Sequence, residues 1–322
     1  MPADIVCFDL EGPLSPQDNA YQVMGLVPKG HQIFEVISRY DDLLALEERP
    51  DYESGTTLAL IAPFLVLHGL SEEDVQRVSA QAALVGGARE LMADLQREGW
   101  SVYIISTSYQ QHALQIAQRL GVEPNNVACT SFPLTRYRQQ LADEDVALLV
   151  QAERDILSLY PPQDDEEIKR RLDRFFWTDL PQTRLGEILE EIKVMGGRRK
   201  AGAARGFAGR SGRTLADVVA IGDSITDAAM LRAVHQAGGL AVAFNANQYA
   251  LPHAIVGLAS TDLRELWPVL AAWREVGREA VQSALAGKTN PVWLGGRESL
   301  DDVLVLHMQM RRLIRSAAAE LG

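Results

Sequence analysis

Hydrophobic and polar positions alternate between two kinds of run along the chain. Short apolar runs rich in β-branched and aromatic residues read as buried strands: Ile5–Phe8, Val102–Ile105, Val127–Thr130, Val218–Ile221, Leu240–Phe244 and a last edge strand at Ala254–Gly257. Between them lie stretches with apolar residues at helical spacing, such as Leu91, Met92 and Leu95 before Gly99. Strands alternating with helices of this length predict a doubly wound parallel α/β sheet.

Two long helical stretches interrupt that alternation. The first, 21–84, breaks at Arg49-Pro50 and at His68-Gly69, and Ser71 with Asp74 signals a helix start. The second, 136–195, is strongly charged and is broken by Pro161-Pro162 and Pro181. The expected organisation is a core made of 1–20, 85–135 and 196–260. It carries a helical cap at 21–84 and a helical insertion at 136–195 that serves as a second cap or lid. Residues 261–322 form C-terminal helices packing on the core. In that tail Ser299 and Asp302 give a cap signal, and Val303, Leu306, Met310, Leu313 and Ala317 form an apolar seam. Core docking is the expected use of the seam, with an isologous dimer contact open, as is the oligomeric state.

Composition narrows the functions. At 322 residues the chain can hold one large domain with insertions, or two domains. Its net charge of −12 argues against a general nucleic-acid or membrane binder, which would need a basic face. The run from Gly196 to Arg213, with six basic residues and no acid, is the exception; its bland explanation is a solvated helix face. Cys7 and Cys129 read as small hydrophobes in a reducing compartment. No signal segment opens the sequence, so the expected location is cytoplasmic.

The candidate chemistry lies at the strand ends. Asp9 and Glu11 follow the first strand, Ser106 the second, and Asp223 and Asp227 the fourth. In a parallel sheet these ends share one edge. Carboxylates gathered there need a cation, and an all-oxygen set without paired histidines favours Mg²⁺ over zinc. Mg²⁺ beside a hydroxyl, a lysine and a basic approach suits a phosphate ester.

These residues resemble the haloacid dehalogenase superfamily of phosphohydrolases. The pattern is a nucleophilic Asp with an acid two residues on, a Ser or Thr after the second strand, a Lys, and Gly-Asp-x-x-x-Asp. Here those are Asp9 and Glu11, Ser106, Lys200, and Gly222-Asp223-Ser224-Ile225-Thr226-Asp227. The cap after the first motif and Gly86-Gly87-Ala88-Arg89-Glu90-Leu91 resemble the phosphoserine-phosphatase-like branch. Pro13 with Ile105-Ser106-Thr107-Ser108-Tyr109 is similar to an archaeal group of the superfamily. The resemblance implies a Mg²⁺-dependent phosphatase of small phosphorylated metabolites, working through an aspartyl-phosphate on Asp9. It implies Mg²⁺ held by Asp9, the Glu11 main-chain carbonyl and Asp223, with Asp227 in support. Ser106 and Lys200 would grip the phosphoryl oxygens, and Glu11 would serve as acid and base.

Glu11 stands where the family usually has Asp. Asp-Leu-Glu-Gly is similar to phosphoserine–homoserine phosphotransferase-like members, so transfer to an alcohol stays open, as does a non-catalytic subunit. The family's phosphoserine phosphatases lack the 136–195 insertion, so their substrate is not carried over. Lys193 is the other candidate lysine. Gly222-Asp223-Ser224 also resembles the nucleophile block of SGNH-type esterases, but no histidine here follows an aspartate by three residues, leaving such a triad without its base.

Overall fold

The computed structural model describes residues 5–47, 49, 52–295 and 300–315. Seven strands form one sheet in the order β3-β2-β1-β4-β5-β6-β7: β1 Ile5–Phe8, β2 Ser101–Tyr109, β3 Val127–Thr130, β4 Val218–Gly222, β5 Leu240–Phe244, β6 Val256–Leu258 and β7 Val292–Trp293. Strands β1 to β6 pair in parallel, and β7 adds an antiparallel edge. Side chains alternate across this sheet. Val6, Phe8, Ile104, Val219 and Ile221 pack on one face with Leu91, Leu95, Ile116, Leu270 and Trp273. Ile5, Cys7, Ile105, Val218 and Ala220 pack on the other with Ala204, Phe207, Leu231 and Val234. Burial on both faces explains the continuous apolar runs, since neither face can carry polar residues.

Several boundaries differ from the sequence reading. β2 continues through Ser106, Thr107 and Ser108 rather than ending before them. The last parallel strand is shifted to Val256–Leu258, and the two-residue β7 is too short to carry a periodic signal. Thr261–Arg278, where Leu263, Leu266, Trp267, Leu270 and Trp273 predict one amphipathic helix, is a 3-10 turn, Leu263–Leu266, then Trp267–Val276; Gly277, at φ 83°, starts a separate helix Arg278–Ala284. Ser71 and Asp74 do form a reciprocal capping box, on a helix that ends at Ala80. The break expected at Arg49-Pro50 and the cap at Ser299 involve Pro50 and Ser299, which lie outside the described residues.

The helices of 21–84 and 136–195 share one hydrophobic cluster, in which Phe34, Ile37, Phe64 and Leu65 meet Leu149, Ile156, Phe175 and Phe176. Polar ties cross the same seam. Tyr40 donates to Asp173 at 2.6 Å, and Trp177 donates to the Tyr40 hydroxyl at 2.7 Å. Among the described residues, no helix is long and apolar enough to cross a membrane.

The C-terminal helix Asp301–Arg315 corrects the expected apolar seam. Its buried stripe is Val303, His307, Arg311 and Arg315, at four-residue spacing, while Leu313 is 66% exposed. Ala317 lies outside the described residues. The stripe docks through hydrogen bonds: His307 Nδ1 accepts the Ala246 N–H at 2.9 Å.

Candidate active site

Asp9 leaves β1 at its C-terminal end, and its N–H reaches the Ile221 carbonyl of β4 at 2.8 Å. Asp223 follows β4 directly, and Asp227 closes the 3-10 turn Ile225–Asp227 that comes next. Asp227 Oδ2 accepts the N–H groups of Asp223 at 3.0 Å and Ser224 at 3.2 Å, which fixes the turn. One oxygen from each of these three buried aspartates lies within 4.8 Å of the others. The approach depends on Gly12, whose φ is +114° and whose missing Cβ would stand on the Asp223 carboxylate. The Glu-Gly-Pro turn is therefore shaped to admit Asp223.

Lys200 enters from the first turn of the helix Gly197–Arg210 and is fully buried. Its Nζ donates to Asp9 Oδ1 at 2.6 Å and to Asp227 Oδ1 at 2.7 Å. Burial would lower this ammonium, but Asp227 and Asp9 outweigh it and hold the pKa above that of an ordinary lysine. Asp9 is pushed up by burial and then by Asp227, with Lys200 opposing. Lys193 is exposed and lies in an irregular segment, away from this cluster. The rest of the basic run is mostly solvated: Arg198 pairs with Glu53, Arg210 caps the Asn125 carbonyl, and Arg205 is exposed.

Glu11 lines the cavity beside Asp9, and its Oε1 accepts the Asn19 N–H at 2.8 Å. Burial, then the neighbouring Asp18, pushes its pKa up to about 7. His112 Nε2 is 4.0 Å from it, but burial lowers that imidazole to about 3, so it stays neutral. Ser106 is buried within β2, and its hydroxyl accepts the Ser108 N–H at 3.1 Å. The β2 side chain that lines the cavity is its neighbour Thr107. More of the wall comes from the cap, through Phe34, Ser38, Asp41, Asp42 and Leu58, and from Thr226 in the turn after β4.

Two residues that reach the site are absent from the sequence reading. Arg311 and Arg315, one turn apart on the C-terminal helix, both donate to Asp223 Oδ2, Arg315 from Nη1 at 2.7 Å. The other oxygen, Asp223 Oδ1, is buried with no hydrogen-bond partner. A carboxylate held by one oxygen, with the other unpaired and two more acids within 4.8 Å, offers the oxygen donors that a hard divalent cation prefers. The residues present therefore fit Mg²⁺, held by Asp9 and Asp223. The signal in the sequence was the polar stripe His307, Arg311, Arg315 at i, i+4, i+8, which stands out only once it is weighed apart from the apolar residues of the helix.

No protein-family model and no curated protein matches the chain. Among solved structures it is similar to gene product AF1437 from Archaeoglobus fulgidus, at 31% identity and TM-score 0.86, over 100% of this chain and 99% of that one. It is also similar to a substrate-bound phosphoserine phosphatase complex, at 16% identity and TM-score 0.53, over 83% of this chain and 98% of that one. A phospho-aspartyl intermediate analogue of phosphoserine phosphatase gives 17% identity and TM-score 0.51, with the same coverage. At those identities the last two likenesses speak for the fold alone.

Proposed function

The chain belongs to one family with the AF1437 gene product and, by its phosphoserine-phosphatase-like fold, to the haloacid dehalogenase superfamily; from that premise we propose that it is a Mg²⁺-dependent phosphohydrolase acting on a small phosphorylated metabolite. The observation that carries this reading is Lys200 bridging Asp9 and Asp227 beside the bare oxygen of Asp223. Leaving a buried carboxylate oxygen unpaired costs about 1–3 kcal/mol, a cost that a bound cation would offset.

Asp9 is the nucleophile. Its free oxygen attacks phosphorus to form an aspartyl-phosphate, while the ester oxygen departs with the proton from Glu11. Glu11, now ionised, takes a proton from water, whose oxygen attacks the same phosphorus and releases orthophosphate and Asp9. A group titrating near 7 suits both halves of this exchange. Lys200 aims the Asp9 carboxylate and offsets part of the charge gathered on the phosphoryl oxygens, with the Thr107 and Ser106 segment of β2 alongside. Mg²⁺, when bound, supplies electrostatic shielding between the carboxylate and the anionic substrate.

The test is hydrolysis of an aryl phosphate by the purified protein with Mg²⁺, repeated with excess chelator and with Glu11→Gln. Turnover that vanishes with chelator and falls roughly 10²–10⁴-fold in the variant is expected. Turnover unchanged by chelator overturns the metal-dependent mechanism. Formation of a phosphorylated alcohol when an alcohol is added would favour the phosphotransferase alternative.

A further inference from the structure

We propose that Arg315, delivered by the C-terminal helix and steadied by its partnership with Arg311 on Asp223, is a substrate-binding residue that grips the phosphoryl group being transferred. This rests on the phosphohydrolase reading of the site and goes beyond it, assigning a role to an element outside the sheet and its cap.

The case begins with burial. Arg315 is 9% exposed, and the hydrogen bond it donates is from Nη1 to Asp223 Oδ2, at 2.7 Å. Its Nε–H is buried with no partner. A guanidinium carries five donors in a fixed fork, and leaving the Nε–H unfilled in a low-dielectric site is costly unless an acceptor arrives to take it. Asp223 cannot fill the fork, since its Oδ2 is already shared with Arg311 and its Oδ1 is bare.

Position gives the second argument. Arg315 is part of the wall of the cavity that also contains Asp9, Glu11 and Thr107. It is tied to Asp223, which itself lies within 4.8 Å of Asp9. A phosphoryl group on Asp9 would therefore lie near the unpartnered Nε–H, and planar guanidinium donors match its paired oxygens.

Charge decides which anion. Asp18, Asp41 and Asp42 also line the cavity, so a second anionic group on the leaving portion would meet carboxylates there. The transferring phosphoryl is the anion that Asp9 itself would bring beside Arg315, whose charge also attracts Asp223, Asp18 and Glu11. Asp41 is saturated by Tyr52, Gly55 and Thr57 and is part of the cap's framework.

The test uses the full-length chain with Mg²⁺ and orthovanadate, read by calorimetry rather than turnover. Arg315→Met should weaken vanadate binding at least about tenfold, the loss expected for hydrogen bonds to a charged group. Mn²⁺ affinity, read by electron paramagnetic resonance without vanadate, should hold or tighten, because a cation beside Asp223 has been removed. Vanadate affinity equal to wild type overturns the proposal, and so does a parallel loss of Mn²⁺ and vanadate, which would make Arg315 a support for Asp223 alone. Should Arg315→Met fail to fold, Arg315→Lys carries the comparison: it keeps the charge but not the fork, and wild-type vanadate affinity in it overturns the proposal. Wild-type turnover of an aryl phosphate is scored separately. Turnover with vanadate binding indifferent to Arg315 removes only the arginine assignment, whereas Arg315-dependent vanadate binding without turnover removes only the phosphohydrolase reading.

Discussion

Lys200 Nζ lies 2.6 Å from Asp9 Oδ1, across 191 residues of sequence, and both side chains are buried. The pair is expensive to assemble, because each charge must leave water before meeting the other. It holds because Lys200 has two partners, Asp9 and Asp227, at almost equal distance. A single ammonium thus ties the strand end of β1 to the turn after β4.

That double tie makes Lys200 a stability residue as well as a site residue. Lys200→Met should remove turnover and also lower stability by about 3–5 kcal/mol, the usual cost of leaving a buried charge unpaired. The exposed Lys193 provides the control, since Lys193→Met should alter neither. Chemical denaturation and aryl-phosphate turnover on both variants check this. Loss of activity in Lys193→Met with Lys200→Met active would reverse the lysine assignment.

Much of this site was legible in the sequence because acids ending apolar runs have few uses in a parallel sheet. Asp9, Asp223 and Asp227 declared themselves by position, and Lys200 by opening the helix before β4. Thr107 did not, because β2 runs four residues beyond its apolar stretch and only the realised strand shows which neighbour of Ser106 meets the cavity. Arg311 and Arg315 were hidden by the ranking of apolar residues. Leu306, Met310 and Leu313 outweighed them in the pattern, yet the helix buries its polar stripe because His307 accepts the Ala246 N–H and both arginines pair with Asp223. Periodicity likewise gave each helical segment an apolar face without saying what covers it. The faces of 21–84 and 136–195 cover each other.

That shared cluster governs what happens if 136–195 is replaced by a short Gly-Ser linker. Removal strips Leu149, Ile156, Phe175 and Phe176 from Phe34, Ile37, Phe64 and Leu65. Each large apolar side chain so exposed forfeits about 1.5–3 kcal/mol, a total comparable to a domain's usual margin of about 5–15 kcal/mol. The expected result is aggregation or a broad, non-cooperative melt. A soluble truncated protein with a sharp transition would show that the core and the remaining cap stand without the insertion.

Asp42 gives a pH signature in the cap wall. Burial, then Asp41, pushes its pKa up to about 7, against the pull of Arg39. A carboxyl with a raised folded-state pKa adds stability that is complete below its ordinary value and is lost as pH rises through about 7. Asp42→Asn should therefore be close to neutral near pH 4 and progressively stabilising toward pH 8. With discount for its partial exposure the gain is about 1–2 kcal/mol. Melting of both proteins across that range reads the difference, and a flat difference would mean that Asp42 is ionised throughout.

Asp9→Asn separates the catalytic role from the structural one. The amide is nearly isosteric and its oxygen can still accept from Lys200, so the β1 end should hold its place. Because Asp9 is pushed up by burial and by Asp227, a neutral side chain there relieves repulsion as well as losing a partner for Lys200. The melting temperature should move by only a few degrees for these opposed effects of about 1 kcal/mol. Turnover should fall to background, because an amide oxygen is a poor nucleophile and the aspartyl-phosphate cannot form. With Mg²⁺ and beryllofluoride the wild-type protein should gain thermal stability as the fluoride complex seats on Asp9, and the variant should not. A structural Asp9 predicts the reverse: a marked fall in melting temperature with turnover retained. Sustained turnover by Asp9→Asn, with mass spectrometry excluding deamidation back to Asp, would remove Asp9 as the nucleophile.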